Sequence, residues 1–187
     1  MISRKATPND IPGILALQAQ NLISELSEEQ KATNGFVTTP FTPELLDEII
    51  GLGWAFVTEI EGQIVAYLFG GSWPYYEKWP IFPYMTSRFL NWKFKEWEIT
   101  NENSFQYGPV CIDANHRGKQ IINHLFEAMR KDFIKAYPLA ATFINQANLI
   151  STKAHLKLGW TIEDEFEYNN SKYYGLAYDM SIPVALL

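Results

Sequence analysis

The chain has 187 residues, 47% of them hydrophobic, and a net charge of −6. That length and apolar content suit one globular domain with a substantial core, and the acidic balance speaks against a nucleic-acid partner, which needs a basic face. One cysteine, Cys111, excludes an internal disulfide or a cysteine metal cluster. The expectation is a cytoplasmic, metal-free protein: three scattered His residues make no zinc pattern, no signal peptide follows Met1-Ile2-Ser3-Arg4-Lys5, and no apolar run approaches the roughly 20 residues of a bilayer span.

Ile2 to Ala6 reads as a first strand. Thr7-Pro8-Asn9-Asp10 then opens a helix, with Thr7 as cap, Pro8 in the first turn and Asp10 in the place of the capping-box Glu. Ile11, Leu15 and Leu22 continue its apolar stripe, and Ser27 to Thr39 is polar and irregular. A second helix starts at Thr42-Pro43-Glu44, carries Leu45, Leu46, Ile49 and Ile50, and ends at Gly51. Trp54 to Ile60 and Ile64 to Phe69 form a hairpin about Glu61-Gly62-Gln63.

The segment from Trp73 to Tyr107 holds four of the six Trp residues. Pro74, Pro80 and Pro83 argue against regular structure at its start, while Met85 to Trp97 suits a helix. Gln106 to Asp113 is the next strand. The helix from Gly118 places Ile121, Ile122, Leu125, Phe126, Met129 and Phe133 on one side and Lys119, Asn123, Glu127, Arg130 and Lys131 on the other. Leu139 to Ile144 is a buried strand, Asn148 to Leu158 a short helix stopped by Gly159, and Trp160 to Tyr168 with Tyr173 to Met180 a final hairpin. The order β-α-α-β-β-insert-β-α-β-α-β-β, without repeat or linker, predicts a single α/β domain over residues 1–187. It would have a mixed, mostly antiparallel central sheet flanked by helices and an aromatic insert at about 72–107.

The most informative stretch is Val110-Cys111-Ile112-Asp113-Ala114-Asn115-His116-Arg117-Gly118-Lys119-Gln120-Ile121-Ile122. A short apolar strand runs through a tight polar turn into an amphipathic helix. The unpaired N–H groups and the dipole at such a helix start make an anion site. Together with Asn148-Leu149-Ile150-Ser151-Thr152-Lys153-Ala154-His155-Leu156-Lys157-Leu158-Gly159-Trp160, this stretch resembles the GNAT-type N-acetyltransferases. The first segment is similar to that family's acetyl-CoA turn, Arg-Gly-x-Gly-x-Gly/Ala. The second is similar to its helix of Asn, a small residue three on, an aromatic and then Leu-Gly-aromatic. The resemblance spans about residues 2–180. It departs at Gln120 and Ile122, where the family prefers Gly and then Gly or Ala. Glycine permits close backbone approach to phosphate, but helical dihedrals do not require it, so both positions are expected to donate their N–H groups.

The resemblance implies acetyl transfer from acetyl-CoA directly to a primary amine of a small molecule or peptide. It implies coenzyme contacts at Val110, Cys111, Ile112, Arg117, Gly118, Lys119, Gln120, Ile121, Ile122, Asn148 and Ser151, with the strand backbone pairing the pantetheine arm. His155 stands where the family often has a tyrosine as general acid. On a helix it shares a face with Asn148 and with Ser151 or Thr152, and a His can donate a proton near neutral pH; packing without catalysis is the other reading. Asn148 also suits a helix cap. Cys111 reads as a buried small hydrophobe rather than a nucleophile. Base candidates are Glu59, Glu96, Glu98 or a water chain. The aromatic insert has three readings: an acceptor pocket, a homodimer interface or plain core. The rival functional reading is a non-catalytic acyl-CoA-binding or regulatory domain on the same scaffold.

Overall fold

A computed structural model describes residues 1–27, 29–30 and 36–186. Seven strands lie in one sheet: β1 (Ile2–Lys5), β2 (Ala55–Ile60), β3 (Gln63–Gly71), β4 (Ser104–Ile112), β5 (Leu139–Asn145), β6 (Thr161–Tyr168) and β7 (Ser171–Asp179). Their order is β1-β2-β3-β4-β5-β7-β6. β1–β2, β2–β3, β5–β7 and β6–β7 pair antiparallel, and β4–β5 pairs parallel. The helices are α1 (Ile11–Ala19), α2 (Pro43–Gly51), α3 (Trp73–Tyr76), α4 (Ile81–Thr86), α5 (Ile121–Phe133) and α6 (Leu149–Lys157). Mixed sheet and flanking helices match the fold class read from the sequence.

Contacts group the chain into two compact units. One comprises Met1–Gly70, Gly108–Asp132 and Pro183–Leu187, the other Gly71–Tyr107 and Phe133–Ile182. In the first unit, the capping box at Thr7 forms. The Asp10 carboxylate accepts from the Thr7 N–H at 2.7 Å and from its hydroxyl at 3.0 Å. The face that α1 buries is not the predicted Ile11, Leu15 and Leu22 stripe but Ile14, Leu17 and Gln18. Gln18 is buried because its amide satisfies both backbone groups of Phe41, each at 2.9 Å. A scan for apolar periodicity misses such a residue. Helix α2 is capped as expected, Thr42 Oγ1 accepting from the Leu45 N–H. The left-handed glycine after it is Gly53 (φ 74°), not Gly51, which is the last helical residue. The β2–β3 hairpin closes on Glu61 and Gly62, both at positive φ, the two-residue turn whose twist suits paired strands.

Residues 28 and 31–35, within the stretch expected to be irregular, lie outside the described residues; beyond them Val37 is buried.

The second unit contains the aromatic insert, and it corrects two expectations. No helix runs from Met85 to Trp97. Instead α3 and α4 form across the prolines, with Pro74 in the first turn of α3, and a 3₁₀ turn covers Phe89–Asn91. A proline at the first turn costs no hydrogen bond, because that N–H is unpaired anyway. Of the three readings of the aromatics, core describes most of them: Trp73, Tyr76, Phe82, Phe89, Trp92, Phe94, Phe105 and Tyr107 are buried. Trp73 and Phe89 meet edge-on at 5.2 Å, as do Phe89 and Trp92 at 5.0 Å. The Trp92 ring lies flush on β7: a Cβ on Gly175 would sit 2.3 Å from it. Only glycine admits that contact. The Arg88 guanidinium pairs with Asp164 of β6, fixing the insert from the polar side.

Candidate functional site

The turn between β4 and α5 is built by Asp113. Its carboxylate accepts from the Asn115 N–H at 2.9 Å and contacts His116 Nδ1 at 2.8 Å. The His116 contact holds the Asp113 carboxyl below its ordinary value. The Asp113 N–H donates to the Val65 carbonyl of β3. After the 3₁₀ turn Ala114–His116, the chain makes two left-handed residues, Gly118 (φ 76°) and Gln120 (φ 57°). Gln120 is therefore not helical as expected. A side chain in this region costs about 1 kcal/mol, which gives the glycine preference here a conformational reason besides close approach to phosphate. The helix proper starts at Ile121, with the Gln120 carbonyl accepting from Asn123 and His124.

Among the described residues, no acceptor takes the N–H groups of Gly118, Lys119, Ile121 or Ile122. Unpaired donors thus stand at the mouth of a thirteen-residue helix, an arrangement that favours an anion. Arg117 contributes differently than its charge implies. Its Nε donates to the Ile112 carbonyl at 3.2 Å and its guanidinium to Asn21 Oδ1 at 3.0 Å, so it braces the turn from within. Gly118 and Lys119 face solvent.

On β4, Cys111 is buried and burial pushes its thiol up to about 12. At neutral pH it is a packed thiol, not a thiolate, in keeping with the hydrophobe reading. Val110 and Ile112 are half-buried on the same strand. The parallel register of β4 with β5 covers only Ser104–Gln106 against Leu139–Ala141.

In the second unit, Asn148 caps α6. Its Oδ1 accepts from the Ser151 N–H at 3.2 Å, and its carbonyl accepts from Thr152 N–H and hydroxyl. Asn148, Ser151 and His155 do share a face: His155 Nδ1 lies 2.7 Å from the Ser151 carbonyl. A carbonyl only accepts, so the neutral ring carries its proton on Nδ1. Nε2 is buried and has no partner. The ring meets Tyr107 edge-on at 5.4 Å and Trp160 at 5.7 Å. This apolar cage pushes its pKa down to about 4. The proton-donor role expected of His155 does not fit this placement. At neutral pH the ring offers a lone pair at Nε2, and its one N–H is committed to the backbone. Sequence reasoning missed the Tyr107 wall because β4 carries it, 48 positions from His155, with no local pattern linking them.

The base candidates divide. Glu59 is bound to Arg4 at 2.7 Å, and the same guanidinium also holds Asp10. Glu59 and Asp10 line a groove of about 450 Å³ with Gly13, Leu17, Asp113 and His116. Glu96 and Glu98 are exposed on the insert. Glu163 of β6, not singled out from sequence, is pushed up by partial burial. Among the described residues, no group of three or more His, Cys, Asp or Glu is placed to hold a metal, and no helix is long and apolar enough to cross a membrane.

No family model matches the sequence, and no curated protein does. Solved structures match along nearly the whole chain. An acetyltransferase of the GNAT family from Streptococcus agalactiae is 15% identical, with a TM-score of 0.64 over 95% of this chain and 94% of its own. The chain has the GNAT acetyltransferase fold. The Salmonella typhimurium protein yncA, solved with its cofactor acetyl-CoA, superposes with a TM-score of 0.63 at 14% identity, covering 100% of this chain and 97% of that one. An agmatine N-acetyltransferase variant in its apo form gives a TM-score of 0.67 at 11% identity, covering 95% and 98%. Seen on the GNAT scaffold, the Gly118–Ile122 donors and the Asn148 helix are the two segments whose sequences resembled that family.

Proposed function

We propose that the protein is an acetyl-CoA-dependent N-acetyltransferase that transfers the acetyl group directly to a primary amine of a small molecule or peptide. The observation that carries this reading is the row of unpaired N–H groups at Gly118, Lys119, Ile121 and Ile122, at a helix start on a GNAT scaffold. Those donors, with the exposed Lys119, suit a pyrophosphate. Val110, Cys111 and Ile112 would supply strand backbone to the pantetheine arm, beyond the point where β4 stops pairing with β5. Asn148 and Ser151 would bind from the start of α6. When bound, the coenzyme supplies an acyl group on a thiolate leaving group whose conjugate thiol has a pKa near 8.5, so a strong acid is not required. His155 then acts by position: it fixes the first turn of α6 through Ser151. The amine would react as its free base, and the proton that its nitrogen sheds once bonded to the acyl carbon would reach the leaving thiolate directly or through solvent.

A second reading, a coenzyme-binding domain without transfer, is favoured by one observation, the committed N–H of His155. Both readings expect acetyl-CoA binding, and they part on turnover. Following free-thiol release across a panel of primary amines, polyamines and peptide N-termini, we expect release with at least one class. Binding with no release across the panel supports the second reading. No binding at millimolar acetyl-CoA overturns both.

A further inference from the structure

We propose that Asn21 is a positioning residue for the coenzyme turn, and that through Arg117 it links coenzyme binding to the backbone contact at Val37. This rests on the reading that the Arg117–Ile122 turn holds acetyl-CoA. Asn21 lies just past the end of α1 and is buried. All four of its polar groups are engaged. Its side-chain amide donates to the Leu17 carbonyl at 2.9 Å, and its side-chain oxygen accepts from Arg117 at 3.0 Å. Its backbone N–H donates to Gln18 and its carbonyl accepts from the Val37 N–H, both at 2.9 Å. Val37 in turn accepts from the Ile23 N–H at 3.0 Å.

The site demands a donor toward Leu17 and an acceptor toward Arg117 from one short side chain, and the Asn21 amide supplies them from two separate atoms. The turn that Arg117 braces needs the brace. Two of its residues are left-handed, one of them not glycine, and among the described residues nothing accepts from the N–H groups of Gly118, Lys119, Ile121 and Ile122. Asp113 fixes the start of the turn and the Gln120 carbonyl its end; the two Arg117 contacts tie the stretch between them to β4 and to Asn21. Because Asn21 also closes the contact to Val37, an anion that tightens the turn will steady that contact too. A positioning role through a charged hydrogen bond corresponds to about a tenfold effect on affinity.

The test is titration of acetyl-CoA into the wild type, Asn21→Ala, Arg117→Ala and the double variant, with hydrogen exchange measured with and without coenzyme. We expect each single variant to bind about tenfold more weakly and the double variant to bind no more weakly than Arg117→Ala. Coenzyme-induced slowing at the Ile23 and Val37 amides should vanish in both single variants. Asn21→Asp keeps the acceptor for Arg117 but loses the donor to Leu17; it should bind within about threefold of wild type despite lower stability. A merely structural Asn21 would lower the melting temperature and leave the affinity of the folded protein unchanged, and that result overturns the inference. So does slowing at Val37 that persists in Arg117→Ala, a readout that stands even where Asn21→Ala does not fold. A wild type that does not bind acetyl-CoA overturns the functional reading itself; a wild type that binds alongside an unaffected Asn21→Ala overturns this inference alone.

Discussion

The two segments that resemble the acetyltransferase family are built on opposite principles. The turn from Arg117 to Ile122 works with its backbone. Its useful atoms are N–H groups, Gly118 and Lys119 face solvent, and two residues occupy left-handed conformations to aim the chain into α5. The helix from Asn148 to Lys157 works with its side chains. Asn148 caps it, His155 is locked to Ser151, and Tyr107 and Trp160 enclose the ring. A backbone site tolerates unusual side chains provided the dihedrals survive, so Gln120 and Ile122 can replace small residues. A side-chain site tolerates little, because each group there has a committed partner.

If that contrast is right, the largest effect belongs to His155. Its folded pKa, about 4, lies below the ordinary 6.5, so the unfolded chain binds its proton first. The stability tied to the neutral ring is complete above pH 6.5 and is lost as pH falls from 6.5 through 4. A gap of about 2.5 units corresponds to about 3 kcal/mol. Asp10 and Asp113, whose pKa values are lowered by Arg4 and His116, lose their contributions below the carboxylate range, and Glu163, pushed up by burial, acts in the opposite direction, so the share of His155 is read by difference against a variant without the ring. Urea unfolding at pH 7 and pH 4.5 should show this loss in the wild type and a much flatter profile in His155→Leu. Equal slopes in the two proteins would mean that the ring is not held neutral, and the contrast between the segments would lose its main support.

A smaller cost is expected at Asn148. Replacing it with Ala removes the acceptor for the Ser151 N–H and should destabilise by about 1–2 kcal/mol, read as a lower melting temperature. Asn148→Asp keeps the acceptor and should recover most of the loss. If Asp fails to rescue, the residue matters for something other than the cap.

How much of this was legible follows the same division. Local signals were readable: the Thr7 and Thr42 helix starts, the turn at Glu61-Gly62, the Asn148 cap and the apolar stripe of α5 all depend on neighbours in sequence, although Glu127 and Arg130, read on the polar side of α5, are buried as an ion pair. The candidate site was legible as far as its two segments, which carry their pattern in consecutive residues. What escaped was long-range. Gln18 and Asn21 are polar residues buried by partners more than fifteen positions away, so α1 turned a face toward the core that apolar periodicity did not mark. In the insert, aromatic residues fall at nearly every spacing, so no helical period stood out. Packing against Gly175 and Asp164 decided which ones turned inward.

The smallest effect has the opposite sign and tests the backbone half of the comparison. Gln120 is left-handed at 57°, and its carbonyl, which starts the hydrogen bonding of α5, is present in any residue. Gln120→Gly removes the steric cost of the left-handed side chain, about 1 kcal/mol, and returns part of it as extra freedom in the unfolded chain. The net gain should be about 0.5 kcal/mol, a rise of roughly 1–2 °C in melting temperature for a domain of this size. Glycine also lets a phosphate approach the backbone closely, so acetyl-CoA should bind more tightly. Stability and affinity rising together would mark the turn as a backbone site whose side chain is incidental. A loss in both would mean that the Gln120 side chain itself is part of the site, and the turn would then belong with α6 as a structure held by its side chains.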